Sequence, residues 1–234
     1  MKQKAAGLLV LVLALAAVIQ IWITHISYGG LTSAYPEVVL VGSCAGVVFD
    51  GGILLTPKHC PVADDDVILN HDHRQVARAN SQIAECSTSG LELWTLKDVD
   101  ASLISYATAD ASELADHVPI DAVAFGPTML SGGLFSKPRR KRHAEGQVVD
   151  ANCTSCSLVP TLKASLTAAR FCSGDSGGAI YTVTKSGTKL AGVIQGSAGT
   201  TTKCSETEIA SILDSKTAKW IEDAGEGKMV GGCP

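Results

Sequence analysis

The chain has 234 residues, enough for one large or two small core-bearing units, and 46% of them are apolar. A net charge of −4, with Lys and Arg scattered except at 137–142, argues against a nucleic-acid-binding surface. Eight cysteines behind an apolar leader read as disulfides of an exported protein rather than as thiols of a cytosolic one. The rival reading is structural zinc, but Cys153-x-x-Cys156 is the only pair with ligand spacing and nothing completes it, so no metal is expected.

In chain order, Lys2 and Lys4 precede an apolar run from Ala5 to Ile23 broken only by Gln20. Positive charge followed by apolar residues is an export pattern, and the run nearly suffices to cross a bilayer as a helix. Residues 1–25 therefore read as a signal peptide or a signal anchor, with membrane attachment through this segment in the second case. The rest is placed outside the cytoplasm: secreted, periplasmic or anchored and facing outward. Cys44 to Cys60 contains two short apolar runs around Asp50-Gly51-Gly52, a hairpin signal. The two cysteines bracket that hairpin and can cross-link it, leaving His59 at a strand end beside the bridge. Residues 61–90 are polar; Asp64-Asp65-Asp66 is read as a solvated loop rather than a calcium site. Residues 91–96 alternate in part, as a half-buried strand would. Asp100 then opens Ala101-Ser102-Leu103-Ile104, with Asp98 two residues back on the same face.

The acidic stretch 110–119 is expected to link two subdomains. The basic run from Lys137 to His143 is read as a solvated loop ahead of two further readings, a protease-sensitive site and a contact for an anionic surface. Gly174-Asp175-Ser176-Gly177-Gly178 carries the chemistry. A reactive hydroxyl on a tight turn needs backbone close to the substrate, and glycines permit that turn. The N–H groups of Gly174 and Ser176 can then hold the oxyanion of a tetrahedral intermediate. Strand-like runs at 179–184 and 190–194 follow, and Ile209 to Ile221 reads as a last strand and an amphipathic helix.

These motifs together resemble the chymotrypsin/trypsin-like serine peptidase family, over roughly residues 26–225. The nucleophile motif G-D-S-G-G, a histidine before a cysteine, and an aspartate opening a small-then-apolar run carry the resemblance. It implies an all-β fold of two antiparallel six-stranded barrels with a C-terminal helix, the first over about 26–112 and the second over about 118–234. It implies acyl transfer by Ser176 as nucleophile, His59 as base and Asp100 as the acid that orients it, with Asp98 as the rival. No cofactor is needed, and the partner is a polypeptide substrate. The family's bridge from the nucleophile loop to the specificity loop maps to Cys172–Cys204; Cys86, Cys153, Cys156 and Cys233 keep three connectivities. Asp175 matches the aspartate that pairs with a freed N-terminal amine, although Ile26-Ser27-Tyr28-Gly29-Gly30 departs from the family's start. The specificity pocket maps to Arg170, Glu208, Gln195 and Ser197. Arginine stands where a trypsin has aspartate, so specificity is expected not to be trypsin-like. The alternative class is a protease-fold binding protein with little activity.

Overall fold

The computed structural model describes residues 29–126, 139–156, 161–167, 169–172, 174–196, 205 and 207–233. The expected leader helix, Ser197 and Cys204 lie outside these residues. After a short strand β1 (Gly30–Leu31), six strands form the first closed barrel: β2 (Val38–Val41), β3 (Cys44–Phe49), β4 (Ile53–Pro57), β5 (Val67–Leu69), β6 (Gln75–Cys86) and β7 (Leu91–Lys97). Their order around the barrel is β2-β3-β4-β7-β6-β5, closed where Leu40 pairs with Leu69. The second barrel contains β8 (Pro119–Ala124), β9 (Arg142–Asp150), β10 (Thr161–Leu166), β11 (Ala179–Thr184), β12 (Gly187–Gly196) and β13 (Thr207–Ile212). It closes through β8–β9 and β8–β11 pairs, and β1 adds to its β9 edge. Both barrels are antiparallel, as the family resemblance implied.

The strands are apolar on both faces because both faces are covered. Val39, Val41, Leu54, Ile68 and Trp94 fill the first barrel. Ile120, Ala122, Val148, Leu162 and Ile194 fill the second. The alternate residues Val38, Leu40, Val47, Leu55 and Leu93 turn the other way and pack on Val123, Phe125, Tyr181 and Val193 of the second barrel. This third core is the seam between barrels, and a side chain placed on it is positioned by both.

The helix α1 (Ser215–Gly225) starts where Asp214 accepts a hydrogen bond from Thr217 N–H at 2.8 Å. Trp220, Ile221 and Ala224 join the seam core. Burying the first two contributes roughly 3–6 kcal/mol of gross hydrophobic free energy. Two disulfides resolve the connectivities left open: Cys86–Cys233 and Cys153–Cys156. The hairpin bridge Cys44–Cys60 forms as expected, and Cys172 is disulfide-bonded.

The small-then-apolar run that Asp100 opens, which such residues let one expect as a strand, forms none. Residues 101–103 form a turn, because β7 already fills the barrel position between β4 and β6. Ile104 instead joins the first barrel's core.

Candidate active site

The Gly174–Gly178 loop lies between β10 and β11 and is wedged against both barrels. Within it, Asp175 N–H donates to Cys172 O at 3.0 Å and Gly178 N–H to Asp175 O at 2.9 Å. Ala45 N–H of β3 donates to Ser176 O at 2.7 Å, and Gly177 N–H donates to Ile194 O of β12 at 2.8 Å. A Cβ at Gly177 would lie 1.8 Å from Ala45 O, at a φ of +82°. At Gly178 it would lie 2.5 Å from Val123 O. These two glycines are therefore required by close approach to neighbouring strands as well as by the turn. Ser176 is 9% exposed, and its Oγ donates to Gln195 O at 3.4 Å. Among the described residues, the Gly174 and Ser176 N–H groups donate to no protein acceptor.

His59 comes from the first barrel, on the turn after β4 that the Cys44–Cys60 bridge closes. Its neighbour Lys58 donates its N–H to Gly90 O at 2.8 Å and turns its ammonium outward to Glu85 at 2.5 Å. Partial burial holds the imidazole below its ordinary pKa of 6.5. A Cβ erected on Gly196 would lie 3.3 Å from Ser176 Oγ and 3.9 Å from His59 Nε2. The hydroxyl and the imidazole thus face one point beside Gly196, where the two barrels meet.

Asp100 is not at that point. Leu91, at the start of β7, pairs with Pro57 close to His59, whereas Lys97 at its end pairs with Arg78. Seven residues at about 3.3 Å each put Asp98 and Asp100 on the order of 20 Å from His59. Asp100 donates its N–H to Val76 O, and its carboxylate accepts from Ser102 N–H at 3.0 Å and Ser102 Oγ at 2.6 Å. Those Ser102 bonds, first that of the hydroxyl, hold it below the ordinary carboxylate range. The expectation that Asp100 orients His59 is therefore corrected: the alternating run 91–97 takes the barrel strand and carries Asp100 past the site. Gly90, which immediately precedes β7, occupies the near end. Glu92, the buried carboxyl closest to it along the strand, is taken by Trp94 Nε1 at 3.0 Å and Gln82 Nε2 at 3.2 Å. Among the described residues no carboxylate engages His59.

Asp175, 1% exposed, accepts from Gly126 N–H at 2.8 Å through Oδ1 and from Cys172 N–H at 2.6 Å through Oδ2. Burial pushes its pKa up to about 6, against the pull of those two N–H groups and of the charges on Arg139 and Arg142. The expected solvated basic loop is accordingly corrected for its described part. Lys141 is 2% exposed, donating to Tyr35 O at 2.8 Å and Val38 O at 3.2 Å across the seam. Burial lowers its pKa to about 8. Arg142 Nη1 reaches Gly29 O at 2.9 Å. The sequence hid this because a run of cations reads the same whether its partners are water or buried carbonyls.

The pocket residues separate. Arg170 is exposed. Glu208 is 3% exposed, and its pKa is raised to about 8, mainly by burial, with Ile209 N–H opposing and Asp175 adding to the rise. Gln195 was expected to line the pocket. Its carboxamide instead turns to the first barrel, toward Ser89 and Gly90. Ser89, Gly90 and Ser211 were not anticipated: Ser and Gly in a polar stretch carry no sequence signal of a carbonyl aimed at a site, and a lone Ser in an apolar strand none of a hydroxyl. A cavity of about 1050 Å³ between the linker residues 107–114 and α1 includes none of the site residues. Among the described residues no cluster of three or more His, Cys, Asp or Glu can hold a metal ion, and no helix is long and apolar enough to cross a membrane.

The family model described as Trypsin matches residues 32–221. No curated protein matches the chain.

Proposed function

Because the chain belongs to the trypsin family of serine peptidases, whose substrates are polypeptides, we propose that it is an exported serine endopeptidase working through Ser176 and His59. The observation that carries this is the convergence of Ser176 Oγ and His59 Nε2 on one point beside Gly196. Ser176 attacks the scissile carbonyl while its proton passes to His59. The Gly174 and Ser176 N–H groups stabilise the oxyanion. The imidazolium returns the proton to the leaving amine, and water then hydrolyses the acyl-enzyme by the same route reversed. The imidazole is neutral, and so competent as a base, at any pH above its lowered pKa. Export is supported by the basic-then-apolar leader and the disulfides. Specificity is proposed not to be trypsin-like, because Arg170 stands six residues before the nucleophile and Glu208 is deeply buried with its proton held to about pH 8.

Removing the carboxylate from a triad costs about 10⁴ in kcat, and the oxyanion hole and binding still leave 10³–10⁴ over water. A slow enzyme is therefore expected. That no carboxylate among the described residues engages His59 also favours a second reading, a protease-fold binding protein. A fluorophosphonate probe separates the two. Labelling of the wild type but not of Ser176→Ala supports the enzyme, and equal background from both supports the binder. Cleavage of a peptide library tests the pocket: dominant cutting after Lys or Arg rejects the proposed specificity.

A further inference from the structure

Gln195 occupies the last stretch of β12, 5% exposed, with its backbone facing the nucleophile loop and its side chain bridging β13 and the residues before β7. Its carbonyl accepts from Ser176 Oγ at 3.4 Å. Its Nε2 donates to Ser89 O at 3.1 Å, Gly90 O at 3.3 Å and Ser211 Oγ at 2.8 Å. Three acceptors on one side fix which end of the carboxamide carries the hydrogens. Ser211 Oγ in turn donates to Ser89 O at 2.5 Å. Gly90 O also accepts the Lys58 N–H, one residue before His59. A continuous path therefore runs from the nucleophile's hydroxyl, through Gln195 and Gly90, to the backbone that carries the base.

We propose that Gln195 is the positioning residue of the Ser176–His59 pair, holding the base's segment by neutral hydrogen bonds where a triad would use a buried carboxylate. This rests on the peptidase reading of the site. The chemistry of the cluster explains the choice of an amide. The groups facing the side chain from β7's leading edge are backbone carbonyls, which repel a carboxylate and accept from an NH₂. Taking the amide away removes one donor from each of those buried oxygens, leaving Ser89 O with the Ser211 hydroxyl and Gly90 O with the Lys58 N–H alone. Network members that share a partner also fail together. A loosened Gly90 lets the Lys58–His59 turn drift, and a displacement of about 1 Å at a reacting group costs on the order of 100-fold in rate.

The test compares wild type, Gln195→Ala and Gln195→Glu in the full exported chain, well below each variant's unfolding midpoint. Inactivation by a fluorophosphonate gives a maximal rate and a half-saturating concentration. Amide hydrogen exchange at Lys58 reads the turn directly. Both variants are expected to slow the maximal rate about 10- to 100-fold with half-saturation unchanged, and to speed Lys58 exchange. Glutamate keeps the size of glutamine but presents oxygens to Ser89 O and Gly90 O, so it fails as alanine does. Wild-type rates in Gln195→Glu would mean that the side chain only fills space and would overturn the proposal. So would unchanged Lys58 exchange in Gln195→Ala. A wild type that labels no faster than Ser176→Ala rejects the peptidase reading instead, and Lys58 exchange then decides the positioning role alone. Should neither variant fold, Ser211→Ala removes one acceptor of the same amide and is read by the same exchange.

Discussion

Glu208→Gln should stabilise the protein at alkaline pH and leave it unchanged in acid. The Glu208 carboxyl is 3% exposed, and its pKa rises from 4.5 to about 8 because burial disfavours the charged form. A raised pKa means that the folded state binds more protons than the unfolded state between these two values. Folding stability therefore falls as pH climbs from 4.5, and the loss is complete above the folded-state value. At ~1.4 kcal/mol per tenfold in proton affinity, the full loss is roughly 3–5 kcal/mol. Glutamine keeps the acceptor that Ile209 N–H uses at 3.1 Å but has no charge to desolvate. Urea unfolding at about pH 4 and about pH 9, with disulfides intact, should give a wild-type-to-variant difference near zero at the first and roughly 3–5 kcal/mol at the second. Taking the difference between the two proteins cancels the contribution of Lys141, and that of Asp175 except for its coupling to Glu208. An equal difference at both pH values would refute the reasoning, since only a titrating group makes it grow.

Three further outcomes are expected. Asp100→Asn should leave fluorophosphonate labelling within about twofold of wild type, whereas a loss near the ~10⁴ of a triad acid would return Asp100 to the site. Labelling should rise with pH at a midpoint below 6.5 and then stay level to about pH 8, because burial lowers the His59 pKa; a midpoint above 6.5 would show that an anionic partner stabilises its cation. Gly177→Ala should cost roughly 2–5 kcal/mol in urea unfolding and suppress labelling, because its Cβ meets Ala45 O at 1.8 Å in a left-handed conformation. Near-wild-type stability there would mean that the loop is free to move away from β3.

The barrels were legible because their evidence is local and repeated. The Asp50-Gly51-Gly52 turn between β3 and β4 and the apolar runs on either side announce themselves, and closure follows from family resemblance. The approach of Ser176 and His59 to one point beside Gly196 was legible because glycines and a cysteine neighbour single the two residues out. The triad acid was misread for a physical reason. Two strand-like runs, 91–97 and 101–104, compete for one barrel position, and local pattern cannot say which wins. Leu91, Leu93 and Trp94 are all buried and fill both faces of the strand, while Ala101-Ser102 offers less to bury, so the first run takes the place. Gln195 was singled out but assigned to the wrong surface, because the direction of a long side chain depends on acceptors from another barrel. The inward turn of Lys141 is likewise set by carbonyls of Tyr35 and Val38, more than a hundred residues away.

The Cys86–Cys233 bridge has a consequence for how the two barrels are held together. Cys86 ends β6 of the first barrel, and Cys233 follows the helix that completes the second. The linker joins the barrels through the chain, and this bridge joins them again at the far end. Among the described residues the backbone between the two cysteines therefore forms a covalent ring that threads both barrels. A single cut in the linker opens the ring without releasing either half. Such a nicked protein should run as one species without reductant and as two with it, so the barrels part only when the thiols are reduced as well.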